Sequence, residues 1–375
     1  MNSRQRVLAA IEHKVPDRMP IDLGMHTSTG ISVFAYDALR KYLGVSERDP
    51  VRIRDCVQLT AYVEEDVLRR FRCDCIALCP LPPDTHIWSP RKGYDFTVTA
   101  AFQPELNENG EWIARWNGQS MRMPAGGYFF DGAWLTFEDR WSEGSLRAFG
   151  LEAERIYKET EYFTALTGLN ALFGSSIDDF CAMYTNPNEV RDGCQNALDE
   201  GLLLVDRIFD HCGEYIQMVC MSGDLGMQSA PFCSPELFGD LIAPYLKRLC
   251  GYIHDNTGYK VFLHSCGAVE PFIDIFIDCG IDVLNPVQIT AAGMEPAALK
   301  RKHGDKITFW GGGVDTQGVL GQKGADAVRE NVRELVGVFK PGGGYIFNPV
   351  HNILGDVPPE NVAAAYDEAY KLSAY

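Results

Sequence analysis

Eight times along this chain a short β-rich run ends in small, polar or Gly/Pro residues, and helical sequence follows most of them. The runs are MPIDLG (19–24), DCIALCP (74–80), FTALTG (163–168), IQMVCMSG (216–223), KVFLHSCG (260–267), DVLNP (282–286), ITFWGGG (307–313) and YIFNP (345–349). Residues 236–256 and 325–339 carry apolar side chains at helical spacing. Strands alternating with helices predict an α/β fold with a parallel sheet. Eight such units predict closure into a (β/α)8 TIM barrel. On this reading 1–375 is a single barrel domain, a length that barrels accommodate and most other single cores do not.

Residues 85–135 break the alternation. HIWSP, YDFTVTAAFQP, GEWIARWNG and MRMPAGGYFF alternate aromatic and polar residues between turn signals. They predict a β-meander insertion that caps or walls the barrel mouth, or else an edge sheet used in dimerisation. Its aromatic residues are candidates for a substrate pocket.

Bulk composition excludes some functions. With 51 acidic and 34 basic residues the net charge is −17, which repels phosphate backbones and anionic lipid. Nucleic acid and membrane are therefore not expected partners. No apolar run approaches the ~20 residues that span a bilayer, and the N-terminus reads as a short amphipathic helix ended by Pro16. A cytoplasmic protein is expected. The 12 cysteines are scattered; Cys73, Cys75 and Cys79 follow a strand pattern and fit no common zinc knuckle, so they read as core thiols.

In such barrels chemistry gathers at the C-terminal ends of the strands. HSCG (264–267) lies at one of them. Residues i and i+2 of a strand point the same way, so His264 and Cys266 both face the mouth. A nitrogen and a sulfur donor suit Zn²⁺. A bare His-x-Cys pair is common by chance, and its place on a strand end is what favours metal. His351, just past the last strand, is the third candidate ligand; Asp224, Asp315 or water would complete a tetrahedron. His26 and His351 also fit hydrogen-bonded loop histidines. Asp224 and Asp315 are the candidate catalytic residues, to orient a donor or handle a proton. His26, Gln228 and Asn285 are the candidate substrate contacts. Ser234, followed by Pro235 and Glu236, reads as a helix cap. GGGVDTQG (311–318) lacks the spacing of a nucleotide-binding turn.

RQRVLAAIEHKVPDRMPID, GDLGMQ with SPELF, HSCG, and GGGYIFNPVHNILGDVPPENV together resemble the uroporphyrinogen decarboxylase superfamily over nearly the whole chain. HSCG resembles its methyltransferase branch, the methylcobamide:coenzyme M methyltransferases and corrinoid-dependent demethylases. The resemblance implies a (β/α)8 barrel, zinc on the His-x-Cys pair, and a corrinoid on a partner protein; members often form dimers. In the coenzyme M enzymes a further cysteine completes the zinc site, where this chain has His351. The decarboxylase branch carries an Arg-rich N-terminal signature, and IDLGMHTSTG (21–30) has no arginine. The expected function is zinc-dependent methyl transfer between a small substrate, such as an O-methyl donor, and a corrinoid. The reverse direction, toward a thiol or folate, is a second reading. A metal-free lyase and a non-enzymatic binding protein are the others.

Overall fold

A computed structural model describes residues 1–45, 49–174 and 176–375. The early strands are β1 (Val51–Asp55), β2 (Thr60–Ala61), β3 (Thr85–Arg91), β4 (Tyr94–Thr99), β5 (Glu105–Leu106), β6 (Trp112–Trp116), β7 (Gln119–Met123) and β8 (Asp131–Gly132). Then come β9 (Ala165–Asn170), β10 (Met218–Ser222), β11 (Lys260–His264), β12 (Val283–Asn285), β13 (Thr308–Trp310) and β14 (Tyr345–Ile346). β9 to β14 pair in sequence order as one parallel six-stranded sheet. The fold is α/β.

Of the eight expected strands, 19–24 and 74–80 shrink to single bridges, at Ile21 with Phe347 and Cys75 with Phe163. Two causes are visible. Pro20 has no N–H to give. The Ile21 N–H goes to the Asp74 carboxylate at 3.0 Å instead of to a backbone carbonyl. Backbone bonds still run across this gap: Phe347 N to Pro20 O and Asp74 N to Ile21 O at 2.9 and 2.7 Å, then Phe163 N to Asp74 O at 2.9 Å. Segments 20–22 and 74–76 thus lie between the last strand and the first.

The sheet has two differently packed faces. Val261 and Leu263 of β11 join the large outer core under the helices. Phe262, with Cys75, Ala165, Met218, Cys220, Val283, Trp310 and Ile346, forms a smaller inner cluster. The N-terminal helix Ser3–Ile11 seals that cluster with Val7, Ala10 and Ile11. The polar inner-face residues, His264 and Asn285 among them, therefore fall at the C-terminal ends of their strands.

Two expectations change in detail. The helix expected over 236–256 is two, Pro235–Leu241 and Ala243–Thr257. Pro244 cannot donate to the preceding turn, so the helix restarts there. Residues 325–339 are helical as expected. The antiparallel strands expected over 85–135 are present, but they make two sheets: β2-β1-β4-β3, and the meander β5-β6-β7-β8. Their aromatic side chains are used in packing. Trp88 and Phe102 meet edge to face at 5.2 Å, and Phe102 and Phe137 at 5.1 Å, with all three buried. These three rings are part of the main hydrophobic core, so they themselves are not free to line a substrate pocket. Among the described residues, no helix is long and apolar enough to cross a membrane.

Asp74 is fully buried and holds the N-terminal region to the sheet. It accepts from Arg6 Nη1 at 2.6 Å and from Arg18 Nη1 and Nη2 at 2.7 and 2.8 Å. Removing it would leave Arg18 without a carboxylate partner and Arg6 with Asp17 alone, and would take the acceptor from the Ile21 N–H. Asp74→Ala is expected to cost about 3–5 kcal/mol, read as a lower urea midpoint at unchanged slope; a loss under about 1 kcal/mol would remove this anchoring role. Asp22, also buried, accepts from Met25 N and Trp310 Nε1, each at 3.0 Å. Burial pushes its carboxyl up to about 6. The folded state then holds this proton more tightly than the unfolded chain. Stability should fall as pH rises from about 4 to about 6, by on the order of 2–3 kcal/mol. Comparing Tm against pH for wild type and Asp22→Asn isolates this contribution, and parallel curves would contradict it.

Candidate functional site

His264 ends β11, and Cys266 follows after the buried Ser265. The turn that carries them is pinned to its neighbours on both sides. Ser265 N donates to Asn285 O at 2.7 Å, and Ser265 Oγ accepts from Leu225 N at 3.1 Å. Gly267 has φ +91°, and a Cβ there would collide with the Gly226 carbonyl. The two backbones can lie this close only because both residues are glycines.

His351 reaches the same place from the far side of the sheet. One ligand atom each from His264, Cys266 and His351 lie within 4.8 Å of one another. Cys266 Sγ is 3.5 Å from His264 Nε2. Donors about 2.3 Å (sulfur) and 2.0 Å (nitrogen) from a tetrahedral centre stand about 3.5 Å apart, so this pair fits a zinc ion.

The hydrogen bonds behind the histidines set their tautomers. Asn285 Nδ2 donates to Trp310 O at 2.8 Å, so its Oδ1 is an acceptor facing His264 Nδ1 at 2.9 Å. His264 therefore donates from Nδ1, which leaves Nε2 as the ring atom turned to the site. His351 repeats the arrangement: Nδ1 lies 2.5 Å from Asn352 Oδ1, whose amide nitrogen donates to Gln58 at 3.0 Å. Burial pushes the His351 pKa down to about 4, with the charge of His264 adding to the effect. Neutral imidazoles with pinned Nδ1–H groups are the form in which histidine binds metal.

Asp224 Oδ1 accepts from Cys266 N at 2.8 Å and stands 3.7 Å from His264 Nε2. It is the one candidate catalytic carboxylate that touches the triad. Burial raises the Cys266 thiol, and Asp224 raises it further. His26 stacks on His264 with ring centroids 5.5 Å apart, and burial holds it well below the usual histidine range.

Three expected roles change. Asn285 is fully buried and accepts from Ser28 Oγ at 2.6 Å as well as from His264, so it positions a ligand residue and has no face for substrate. Gln228 donates to Thr290 O at 2.5 Å and accepts from Gln288 Nε2 at 2.8 Å. Gln288 in turn accepts from Gly267 N at 2.8 Å, so these amides brace the turn after Cys266. Asp315 caps the segment Thr316–Leu320, accepting from Gln317 N and Gly318 N at 2.9 and 3.1 Å. No contact joins it to the triad among the described residues. The sequence reading overlooked Asn352, and also Arg54 and Arg140, whose charges both reach His26. The shared Asn partners on the two histidines were the available signal for Asn352.

Asn285→Ala is expected to destabilise the protein by about 2–4 kcal/mol, since it removes a hydrogen-bond partner from His264 Nδ1, Ser28 Oγ and Trp310 O. It should also let the Nε2–H tautomer of His264 appear in ¹H–¹⁵N ring spectra. An unchanged tautomer in the variant would refute the positioning role.

The family model described as "Uroporphyrinogen decarboxylase (URO-D)" matches residues 181–372, just over half of the chain and all three triad residues. The uroporphyrinogen decarboxylase of Thioalkalivibrio sulfidiphilus is 27% identical over 143 residues, 37% of this chain and 38% of its own length. That of Hahella chejuensis is 24% identical over 179 residues, 46% of this chain and 48% of its own. The chain thus spans half or less of these curated relatives. In structure it is similar to a methyltransferase from Methanosarcina mazei, with a TM-score of 0.60 and 15% identity over 99% of each chain. That likeness is one of fold.

Proposed function

The chain belongs to the uroporphyrinogen decarboxylase family, and on that premise we propose that it is a zinc-dependent methyltransferase. It moves a methyl group between a small O-methyl substrate and a corrinoid carried on a partner protein. We read the eight parallel segments as a closed (β/α)8 barrel over 1–375 with an insertion at 85–135. The bonds at 20–22 and 74–76 and the methyltransferase neighbour both support this. The triad then lies at the barrel mouth.

The observation that carries the reading is the donor set. One thiol and two imidazoles, each with Nδ1 held by an asparagine carboxamide oxygen, converge within 4.8 Å. His264, Cys266 and His351 would hold the ion. Zinc on one thiolate and two neutral imidazoles keeps a formal charge of +1 and supplies Lewis acidity toward a leaving oxygen. Asn285 and Asn352 hold the two rings in place, so little reorganisation is needed when substrate arrives. Asp224 keeps the Cys266 amide oriented, and its carboxylate would take the proton that the Cys266 thiol gives up on binding the ion. His26, neutral and stacked on His264, walls the site without adding positive charge.

A metal-free lyase is the second reading, because the curated relatives are uroporphyrinogen decarboxylases. Metal content divides the two. Purified wild type is expected to hold about one zinc per chain, lost in both Cys266→Ala and His351→Ala. Wild type without zinc, even after anaerobic reconstitution, would leave the lyase.

A further inference from the structure

Arg54 and Arg140 carry no motif, yet the fold brings both to His26. Arg54 Nη1 donates to Gly24 O, and Nη2 donates to Met25 O at 2.8 Å, the two residues just before His26. Arg140 comes from the far end of the insertion. Its Nε and Nη2 donate to Thr167 O and Oγ1 at 3.0 and 3.1 Å, and its guanidinium lies 4.6 Å over the Phe149 ring. Gly168, with φ +98°, makes room for it: a Cβ there would sit 3.2 Å from Arg140 Nε. Thr167 alternates with Ala165, an inner-face residue of β9, so Arg140 is fastened to the inner side at the strand's C-terminal end. Both guanidiniums act electrostatically on Cys220, another inner-face residue, and both act on His26 together with His264 and His351. One site therefore runs from the triad past His26 to the two arginines.

An arginine has five N–H donors. Among the described residues, backbone carbonyls and the Thr167 hydroxyl take two of them on each arginine, and neither guanidinium hydrogen-bonds a carboxylate. Two carboxylates are within electrostatic reach, Asp55 of both arginines and Glu138 of Arg140; Asp55 Oδ1 accepts from the Val57 and Gln58 amides at 3.1 and 2.7 Å, and Glu138 Oε1 accepts from Thr99 Oγ1 at 2.8 Å. Burial pushes Arg140 down to about 10, the charge of Arg54 contributing to that shift. Two like charges held close together in a poorly solvated place, with donors to spare, are complementary to an oxyanion. On a chain of net charge −17 two such cations also favour the local approach of an anion.

We propose that Arg54 and Arg140 form a carboxylate-binding subsite that holds the anionic end of the substrate while its other end lies at the His264–Cys266–His351 cluster. That the anion is the methyl donor rests on the reading above; the binding subsite itself does not.

The test uses the full-length protein at constant ionic strength. Acetate, benzoate and 4-methoxybenzoate are titrated against sodium chloride, with benzamide and 4-methoxybenzamide as uncharged counterparts and inorganic phosphate as a competing oxyanion. Binding is read by calorimetry and by Tm. At least one carboxylate should bind saturably and raise Tm, while its amide does not. Arg54→Gln and Arg140→Gln should each weaken that binding about tenfold or more at unchanged zinc content. If either glutamine variant fails to fold, the lysine variant at the same position decides: charge without the planar fork should restore only part of the affinity. Carboxylates that act no differently from chloride, equal affinity in the variants, or binding of phosphate alone would each overturn the proposal. Carboxylate binding to a protein that never takes up zinc would keep the subsite and remove the methyl-transfer reading, so the two failures are told apart.

Discussion

A single buried carboxamide holds the candidate site together. Asn285 ends β12, accepts from His264 and Ser28 through Oδ1, and donates to the Trp310 carbonyl through Nδ2. Its own backbone carbonyl receives Ser265 N. Four parts of the chain, far apart in sequence, are thus joined at one fully buried residue. Such a network is stable only when every member is satisfied, because an unpaired amide in a low-dielectric interior is costly. Satisfied, it also decides chemistry, since it determines which nitrogen of His264 is free.

The parallel sheet makes that arrangement possible. One face is given to the helices and is apolar throughout. The other is apolar along its lower part, where Val7, Ala10 and Ile11 of the N-terminal helix cover it. Thr308, bonded to the carbonyls of that helix, is polar there; His264 and Asn285 sit at the C-terminal ends of the inner face. Asp74 ties that N-terminal helix to the sheet through Arg6, so the plug beneath and the site above belong to one packed unit.

Much of this was legible in the sequence. The alternation of strands and helices indicated the parallel sheet, and the two-residue period along HSCG put His264 and Cys266 on one side. His351 followed from its place after the last strand. The residues that were misjudged are those whose role depends on a partner distant in sequence. Asn285 was expected at the site and is there, but only its bonds to Ser28, His264 and Trp310 reveal that it faces ligands instead of substrate. Gln228 looked like a loop side chain available for binding until Thr290 and Gln288 took both ends of its amide. Asp315 follows a glycine run, a position equally suited to chemistry and to capping, and the following turn claimed it. Arg54 and Arg140 left no local trace, because a guanidinium's meaning lies in what its free donors face. In the aromatic insertion Trp88 and Phe102 join the main core, while Phe129 and Trp134 stay exposed.

Gly226 and Gly267 lie backbone against backbone, with Ala268 N bonded to Met227 O at 2.8 Å. The loop after β10 and the turn after β11 therefore behave as one mechanical piece. Asp224 rides on the first and Cys266 on the second, three residues or fewer from the contact. Neither can be displaced alone. A molecule that pushes the loop aside on entering also shifts the thiol, and one that leaves lets both spring back together, so occupancy and the geometry of the cysteine are geared to each other by two residues without side chains.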